Sequence, residues 1–389
     1  MKVFEGLPSA SPRLGFFQAA ASWLDAALVE FGPEGTMHYV QGNIPGKTER
    51  LYTTGMRERQ IIFGDTAPLE QAILDIDRSA KPDLLFVTSS PVSEIIGIDL
   101  EAEVRDVRAR IHAALSVWDH VPVEGTQAQG RAAAYEKAAG YLRQTMAGAA
   151  REEKTGCLIL GLGEADWNGA ADLNELRRML EAYFGIPCLN EPDGRYRLSD
   201  IPKARCLLVV QPEAAALAQT AEELWGLPWH RCVPYGLRAC EQLVSALEQM
   251  LRQKAASCWA AERQEIKRSL AQFREKAGRR RWNVCLEAGN SRAPAWTGFL
   301  EELGLAVSCP VDDWPLLSTG EGTGGDAEAL TADLLLGCGF LCARHPEIPS
   351  LCVDYPAAGQ KLFSRHIPMM GSWGAENVMT LLFSLLRGA

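Results

Sequence analysis

The stretch Leu84-Leu-Phe-Val-Thr-Ser89 carries the clearest fold signal in the sequence. It is a short apolar run of the length that a buried β-strand needs. Ser90 and Ser93 follow it at positions where a serine can cap a helix. A strand that leads directly into a helix is the repeating unit of a parallel sheet wrapped by crossover helices. The stretch therefore predicts an α/β fold.

The same alternation of short strands and longer helices continues from about residue 55 to the end of the chain. A second block is predicted to contain strands at 157–162 and 206–210 and helices that stop at Gly185 and before Gly226. A third block is predicted to contain strands near 284–286, 306–308, 334–336 and 351–353, followed by a closing helix. Between these blocks, residues 237–276 contain no Pro or Gly and predict one long connecting helix.

The blocks predict three α/β domains at 1–150, 151–236 and 277–389, with the helix over 237–276 joining the last two. A chain of 389 residues is long enough for two or three domains, because domains usually contain roughly 100 to 200 residues. The sequence leaves open whether the closing helix, over 374–387, packs back on the first domain.

The overall charge excludes some classes of partner. The chain has 39 Lys and Arg against 49 Asp and Glu, a formal net charge of −10, which argues against coating nucleic acid or anionic lipid. No apolar run approaches the roughly 18 residues that span a bilayer. The first residues lack the apolar core of a signal peptide, so we expect a cytoplasmic protein without nucleic-acid or membrane partners.

Eleven cysteines are many for a chain of this length, and a reducing compartment would keep them as thiols. Five stand inside strand-like runs, where cysteine packs as a small apolar side chain: Cys157, Cys206, Cys285, Cys338 and Cys352. The spacing of Cys338 and Cys342 can ligate a metal from one helix face, but no second pair completes a tetrahedral set. We interpret this pair as packing residues.

Two glycine-rich strings resemble nucleotide-binding motifs but lack a required feature. Three residues separate Gly42 from Gly46, whereas a P-loop needs four. Gly161 and Gly163 follow a predicted strand, but Asp166 stands where the third glycine of a dinucleotide fingerprint would be. We interpret this second string as a tight turn between a strand and a loop.

Several polar residues stand at the carboxyl ends of predicted strands or beside a proline, namely His230, His345, His366 and Asp354. Open α/β sheets bind their ligands at that edge. A single histidine in such a place is still more often structural than functional. Other carboxylates at loop ends are Asp312 and Asp313, and spacing alone assembles no Ser, His and Asp triad.

The order of several segments is more informative than any one of them. The first part of the chain contains Phe31-Gly-Pro-Glu-Gly-Thr36, Ile61-Ile-Phe-Gly-Asp65 and Val87-Thr-Ser-Ser-Pro91-Val-Ser-Glu94-Ile-Ile-Gly97. Later segments are Leu162-Gly-Glu-Ala-Asp-Trp167-Asn168, Gly226-Leu-Pro228, Pro234-Tyr-Gly-Leu237 and Met370-Gly-Ser-Trp-Gly374-Ala375. In this order, and over nearly the whole chain, the segments resemble the nitrogenase component 1 family.

The resemblance implies three Rossmann-like α/β domains, with parallel sheets flanked by helices, around a central cleft. The family includes nitrogenase subunits, scaffolds for cofactor assembly and reductases of tetrapyrrole precursors. In such proteins low-potential electrons come from an ATP-hydrolysing iron protein. They pass through an iron–sulfur cluster at the subunit interface, where thiolates hold the iron.

The same resemblance shows that the usual ligands are missing. The cluster cysteines of the family correspond to about Leu14, Thr36 and Pro91, none of which can ligate iron as a thiolate. Together with Ser90, Thr36 and Pro91 are interpreted as vestigial cluster positions. The cofactor-binding Cys and His of nitrogenase correspond to Gln211 and Asp354.

The resemblance therefore implies a component 1-like oxidoreductase subunit in an anaerobic cytoplasm that reduces a small-molecule or tetrapyrrole-like substrate. It implies a homodimer, or a heterodimer with a component 1 paralogue that supplies most of the iron–sulfur ligands. The residues expected at the cleft are Gln211, His230, Asp354 and His366. Unanticipated ligation by Cys232, Cys240 or the pair of Cys338 and Cys342 stays open. The competing interpretation is a non-catalytic scaffold or binding protein that acts in cofactor assembly.

Overall fold

The computed structural model describes residues 11–44, 48–121, 125–148, 155–164, 166–277, 280–286, 292–310, 331–354 and 366–388. Within these residues the strands form three sheets, and every neighbouring pair of strands is parallel. Helices cover the faces of the sheets. The predicted α/β fold with parallel sheets is therefore confirmed.

The first sheet has the strand order β2-β1-β3-β4. Its strands are β1 (Ala26–Phe31), β2 (Leu51–Thr53), β3 (Leu84–Ser89) and β4 (Ala114–Trp118). The helices of this part are α1 (Pro12–Ala20), α2 (Glu34–Asn43), α3 (Glu58–Phe63), α4 (Ala67–Ala80), α5 (Pro91–Ile95), α6 (Leu100–Glu103) and α7 (Gln127–Tyr141).

The second sheet has the order β5-β6-β7, with β5 (Gly156–Leu160), β6 (Ala204–Val209) and β7 (Trp229–Arg231). Its helices are α8 (Gly169–Phe184) and α9 (Ala215–Trp225), followed by α10 (Gly236–Leu251) and α11 (Ser257–Ala277). Helix α8 ends, as predicted, at Gly185, whose φ of 63° is the left-handed conformation that glycine adopts without strain.

The third sheet has the order β11-β10-β8-β9. Its strands are β8 (Asn283–Leu286), β9 (Ala306–Pro310), β10 (Leu334–Cys338) and β11 (Ser350–Asp354). Its helices are α12 (Ala293–Glu302), α13 (Gly339–Arg344) and the closing helix α14 (Gly371–Gly388). Each sheet lies within one predicted block, and the exact domain boundaries stay a prediction. Asp312 and Asp313 lie outside the described residues.

The first block differs from the prediction in two ways. Strand β1 is a central strand of its sheet, although the strand and helix rhythm was expected only from about residue 55. Its six residues are all buried, including Glu30, and the charge of that residue hides the strand in a hydrophobicity pattern. The single helix expected after Ser90 is three short pieces, because Asp99 caps a new helix and accepts a hydrogen bond from the Ala102 amide.

The long connecting helix over 237–276 was wrong as a single element, since the chain breaks between α10 and α11. The break follows Arg252, which has a φ of 52° and ends α10. Tertiary contacts with the end of α8 hold it: the Ala256 amide donates to the carbonyl of Tyr183 at 2.8 Å, and the Gln253 amide group donates to that of Phe184 at 2.9 Å. No local sequence signal reports such contacts.

The closing helix α14 packs against α8, α10 and α11, so the option that it returns to the first sheet is wrong. Its apolar face completes a core that the second and third sheets share, through buried residues such as Val378 and Leu382. Among the described residues, no helix is both long enough and apolar enough to cross a membrane.

Two shared cores hold the three sheets together. One core combines α1, α7 and one face of the first sheet with one face of the second sheet. The other combines the opposite face of the second sheet with the third sheet and the helices α8, α10, α11 and α14. Asp25 adds a polar connection, because its carboxylate accepts the amides of Leu198 and Ser199 at 2.9 and 3.0 Å. The second sheet is therefore the central piece of the molecule.

Helices α1 and α7 cross so closely that a glycine is required on each. A Cβ atom built on Gly130 would lie 1.6 Å from the carbonyl oxygen of Pro12, and one on Gly15 would lie 1.9 Å from that of Gln127. Real Cβ atoms do not approach backbone atoms at such distances, so α7 would have to move away from α1.

We predict that Gly130→Ala lowers the free energy of unfolding by about 3 kcal/mol or more, because it overpacks this crossing. Gly140→Ala is the matched control, since it lies in the same helix and a Cβ there meets no atom within 4 Å. We expect the control to stabilise the protein by up to about 1 kcal/mol. Urea denaturation measures both values, and equal stability of the two variants would contradict the close crossing.

Candidate functional site

The turn that follows β1 is built around a buried ion pair. Glu30 is fully buried, and its carboxylate accepts hydrogen bonds from the guanidinium of Arg13 and, at 2.6 Å, from the hydroxyl of Thr36. Burial raises the pKa of Glu30, while Arg13 and Thr36 act in the opposite direction. Thr36 thus lies on α2 as a hydrogen-bond donor to an internal carboxylate.

A second turn, between β3 and α5, lies against the first. Ser90 is buried and caps α5 by accepting the Ser93 amide at 3.1 Å, while Pro91 is the exposed first residue of that helix. A Cβ on Gly32 would lie 2.5 Å from the Cβ of Ser90 and 3.3 Å from the Thr36 hydroxyl oxygen. The structure therefore brings Thr36 and Ser90 together on either side of Gly32.

These residues do not fit an iron–sulfur cluster. All eleven cysteines of the sequence lie between residues 157 and 352, so the first 156 residues contain no thiol. Leu14 lies on α1 and is buried in the apolar core, and the hydroxyl of Thr36 donates a hydrogen bond to Glu30. Cluster iron requires thiolate or comparable ligands. The chain therefore has an ion pair and a hydroxyl at the positions that the sequence resemblance assigns to cluster ligands.

A second polar centre is the guanidinium of Arg292, which is 6% exposed and lies between β8 and α12. It donates a hydrogen bond to the carbonyl of Trp167 at 2.9 Å. Burial alone would lower the pKa of Arg292, but the neighbouring acidic groups outweigh this effect and raise the pKa. These groups are Tyr235, Asp166, Asp354 and Asp172. They come from both the second and the third sheet, so Arg292 lies where the two sheets meet, and its surroundings are called the cleft below.

The loop after β5 provides the first of these carboxylates. Asp166 accepts the Gly163 amide at 2.8 Å and a hydrogen bond from the side-chain amide of Gln211, which follows β6. Burial raises the pKa of Asp166 against the opposing effect of Arg292. Gly161 has a φ of 75° and Gly163 approaches Gly169 closely, so the string is a tight turn, as predicted.

Asp172, in the first turn of α8, connects the cleft with the start of α14. One of its oxygens accepts the amides of Met369 and Met370 at 2.7 and 2.9 Å. Its other oxygen is buried and has no hydrogen-bond partner among the described residues. Burial raises the pKa of Asp172 to about 6, although the amides and Arg292 oppose the shift.

The four residues predicted at the cleft do not all meet there. Gln211, which follows β6, donates a hydrogen bond to Asp166 and is thereby linked to the surroundings of Arg292. Asp354, at the end of β11, is one of the carboxylates that stabilise the charge of Arg292. His366 is exposed and precedes Ile367, whose carbonyl accepts a hydrogen bond from Asn168 at the start of α8. His230 lies elsewhere, in a cavity between β7, α10 and α12.

The cysteines near the cleft do not form a ligand set. Burial raises the pKa of Cys232 and that of Cys352 to about 12, and it raises the pKa of Cys240 as well. Cys342 and Cys352 pack with Trp167 in a small apolar cluster. Among the described residues, no close group of three metal-ligating side chains contains a cysteine. The unanticipated ligation by cysteines therefore has no support from the geometry.

The cleft offers charge, hydrogen bonds and carboxylate oxygens, but none of the thiolates that an iron–sulfur cluster requires among the groups around Arg292. A guanidinium has five N–H donors in a planar fork, which suits carboxylate or carbonyl oxygens of an organic ligand. Asp166, Asp172 and Asp354 place three carboxyl groups beside it. Neither Arg292 nor Asp172 was among the site residues predicted from the sequence. The only signal for Arg292 is its place after a predicted strand, at the edge where α/β sheets bind ligands.

Comparisons with known proteins bear on the family and the fold of this chain. The sequence profile of the family described as nitrogenase component 1 type oxidoreductase matches residues 12–311. The chain is 24% identical over 265 residues to the nitrogenase molybdenum-iron protein alpha chain of Methanosarcina barkeri, and 24% identical over 269 residues to one subunit of the light-independent protochlorophyllide reductase of a Synechococcus strain. It is 22% identical over 370 residues to the cofactor biosynthesis protein NifN of a Nostoc strain.

The matched regions cover 65% of this chain for the first two relatives and 85% for the third. The chain spans about half the length of the first two, at 48% and 52%, and 80% of the third. A solved structure of nitrogenase Cp1 at pH 6.5 superposes with a TM-score of 0.75 at 19% identity, covering 100% of this chain and 95% of that one. The fold that the resemblance implied is thereby confirmed.

We predict that Glu30→Gln lowers the free energy of unfolding by about 3 to 5 kcal/mol, because it leaves the guanidinium of Arg13 buried without its carboxylate. The double variant with Arg13→Met should recover most of this loss, since both charges are then removed. The control is the exposed pair of Arg78 and Asp75, for which the same cycle should give a coupling below about 1 kcal/mol. Urea denaturation measures all variants, and additive losses in the first cycle would contradict a coupled pair.

We predict that Asp172→Asn changes how stability depends on pH. The pKa of Asp172 is about 6 in the folded protein and about 4 in an unfolded chain, so the folded state prefers the protonated carboxyl. This contribution is complete below about pH 4 and is lost as the pH rises through about 6. The free energy of unfolding should therefore fall by up to about 3 kcal/mol over this range relative to the variant. Parallel slopes for the two proteins would contradict the raised pKa.

Proposed function

Because this chain belongs to the nitrogenase component 1 type oxidoreductase family, we propose that it is one subunit of a reductase complex. It binds an organic substrate, a small molecule or a tetrapyrrole-like compound, in the cleft around Arg292. Its electrons come from a separate ATP-dependent iron protein and reach the cleft through a partner chain that holds the iron–sulfur cluster. The complex is a homodimer or a heterodimer with a component 1 paralogue, in an anaerobic cytoplasm.

The observation that carries this proposal is the pair of Arg13 and Glu30 beneath Thr36. A buried ion pair needs supporting hydrogen bonds to offset its desolvation, and here Thr36 donates one to Glu30. This arrangement supports a site in this chain that does not depend on a bound metal. A complex that still transfers electrons through this region must take its thiolates from another chain, which favours a heterodimer with a paralogue that retains its cysteines.

The polar groups of the cleft support an organic substrate over a metal cofactor. Gln211 and Asp354 stand where the family resemblance places a cysteine and a histidine. Both lie within the hydrogen-bonded and charged surroundings of Arg292. A carbonyl oxygen of the substrate would accept a hydrogen bond from the guanidinium, whose charge the surrounding aspartates already compensate. One relative is named as part of a protochlorophyllide reductase, which agrees with an organic substrate.

A scaffold that holds a ligand or a partner's cofactor during assembly is the second candidate. The absence of thiols from the first 156 residues favours it, because a scaffold does not need its own electron path. Several relatives are named as cofactor biosynthesis proteins, among them NifN and NifE. The two candidates differ in whether an iron protein acts on the complex.

We predict that this chain, purified alone under strictly anaerobic conditions, contains neither iron nor acid-labile sulfide. Co-expression with a component 1 paralogue from the same genome should yield a complex that contains both. Nucleotide hydrolysis by the iron protein, stimulated by that complex and coupled to substrate loss, would exclude the scaffold. No iron or sulfide in either preparation would overturn the reductase and leave the binding function. Asp354→Asn and His366→Ala then test the cleft, since unchanged turnover in both would remove it as the reaction site.

A further inference from the structure

A separate cavity lies beside Tyr235, and neither Arg292 nor its three aspartates line it. It has a volume of about 360 Å³ and opens between β7, the start of α10 and α12. Sites for small molecules usually measure roughly 300 to 1,000 Å³. Tyr235 forms one wall, and its ring stacks on Trp296 at a centroid distance of 4.3 Å. The wall is therefore rigid, and the cavity is distinct from the cleft.

The charged groups of this cavity are mainly positive. Arg231 is exposed at the end of β7, and Arg238 is 64% exposed on the first turn of α10. The one carboxylate, Glu302, is 8% exposed and already occupied, because its oxygens accept the amides of Leu237 and Arg238 at 3.0 and 2.7 Å. Arg238 lies 3.9 Å from Glu302, too far for a hydrogen bond. Both guanidiniums can therefore turn toward a ligand.

The remaining wall is apolar and small. Val233, Pro294 and Ala295 line it, and Gly298 on α12 leaves open space where a side chain would stand. His230 is half-buried at the margin, and burial lowers the pKa of its imidazole, so it serves as a neutral hydrogen-bonding group. An apolar wall with a few converging polar groups is the usual composition of a small-molecule site.

We propose that this cavity binds a small anion, a carboxylate or a phosphate, which Arg231 and Arg238 hold against the apolar wall of α12. Arginine recognises both kinds of anion through two parallel hydrogen bonds. The site stands apart from the proposed reaction, since binding requires no partner chain, electron donor or substrate.

Isothermal titration of the full chain tests this site with two probes, succinate for a carboxylate ligand and inorganic phosphate for a phosphate ligand. We expect at least one probe to bind once per chain with a dissociation constant in the millimolar range or below. Arg231→Gln and Arg238→Gln should each weaken binding about tenfold or more. Arg268→Gln, an exposed arginine on α11, is the matched control and should leave binding unchanged.

Gly298→Leu provides the second variant, because it fills the cavity without strain in a helix where a Cβ meets no atom within 4 Å. It should abolish binding while the protein stays folded. Gly140→Leu, at a helical glycine with the same open surroundings, is its control and should bind as the wild type does. Failure of both probes to bind, or binding that survives Gly298→Leu or the two arginine substitutions together, would overturn the proposal.

Discussion

The charge of Arg292 is the constraint on which the arrangement of the cleft depends. Moving a guanidinium out of water costs several kcal/mol unless hydrogen bonds and opposite charges compensate it. Here the compensation comes from Asp166 after β5, Asp172 on α8 and Asp354 at the end of β11. Because these elements belong to two different sheets, the charge of one buried cation acts on carboxylates from both of them. Asp172 extends the effect, since it also binds the amides before α14.

The first sheet contains a second buried cation with a simpler environment. Arg13 faces one carboxylate, that of Glu30, and Thr36 supplies the third group. In this group both oxygens of Glu30 accept a hydrogen bond, one from Arg13 and one from Thr36, whereas one terminal nitrogen of Arg13 has no hydrogen-bond partner among the described residues. The cleft is different in this respect, because it gathers several carboxylates around one guanidinium, and Asp172 keeps one oxygen without a hydrogen bond among the described residues.

This contrast explains how one fold can retain its shape and change its chemistry. The turns after β1 and β3 still meet at Gly32, where the contact with Ser90 leaves no space for a side chain. The cores that join the sheets consist of ordinary apolar residues and need no metal. Backbone geometry and metal ligation are therefore independent in this part of the fold. Function consequently follows from the site and not from the architecture.

The sequence by itself determined the α/β class, the second and third blocks and most of their strands, because apolar runs and capping residues act locally. Segment order also identified Thr36, Ser90, Gln211 and Asp354 as positions of interest. Only the tertiary structure decided what surrounds them. Contacts from α8 break the helix expected over 237–276, and the charge of Glu30 hides β1 from a hydrophobicity pattern although the residue is buried. Arg292 acquires its role from carboxylates that are distant along the chain, since charge compensation depends on distance in space and leaves no periodic signal in a sequence.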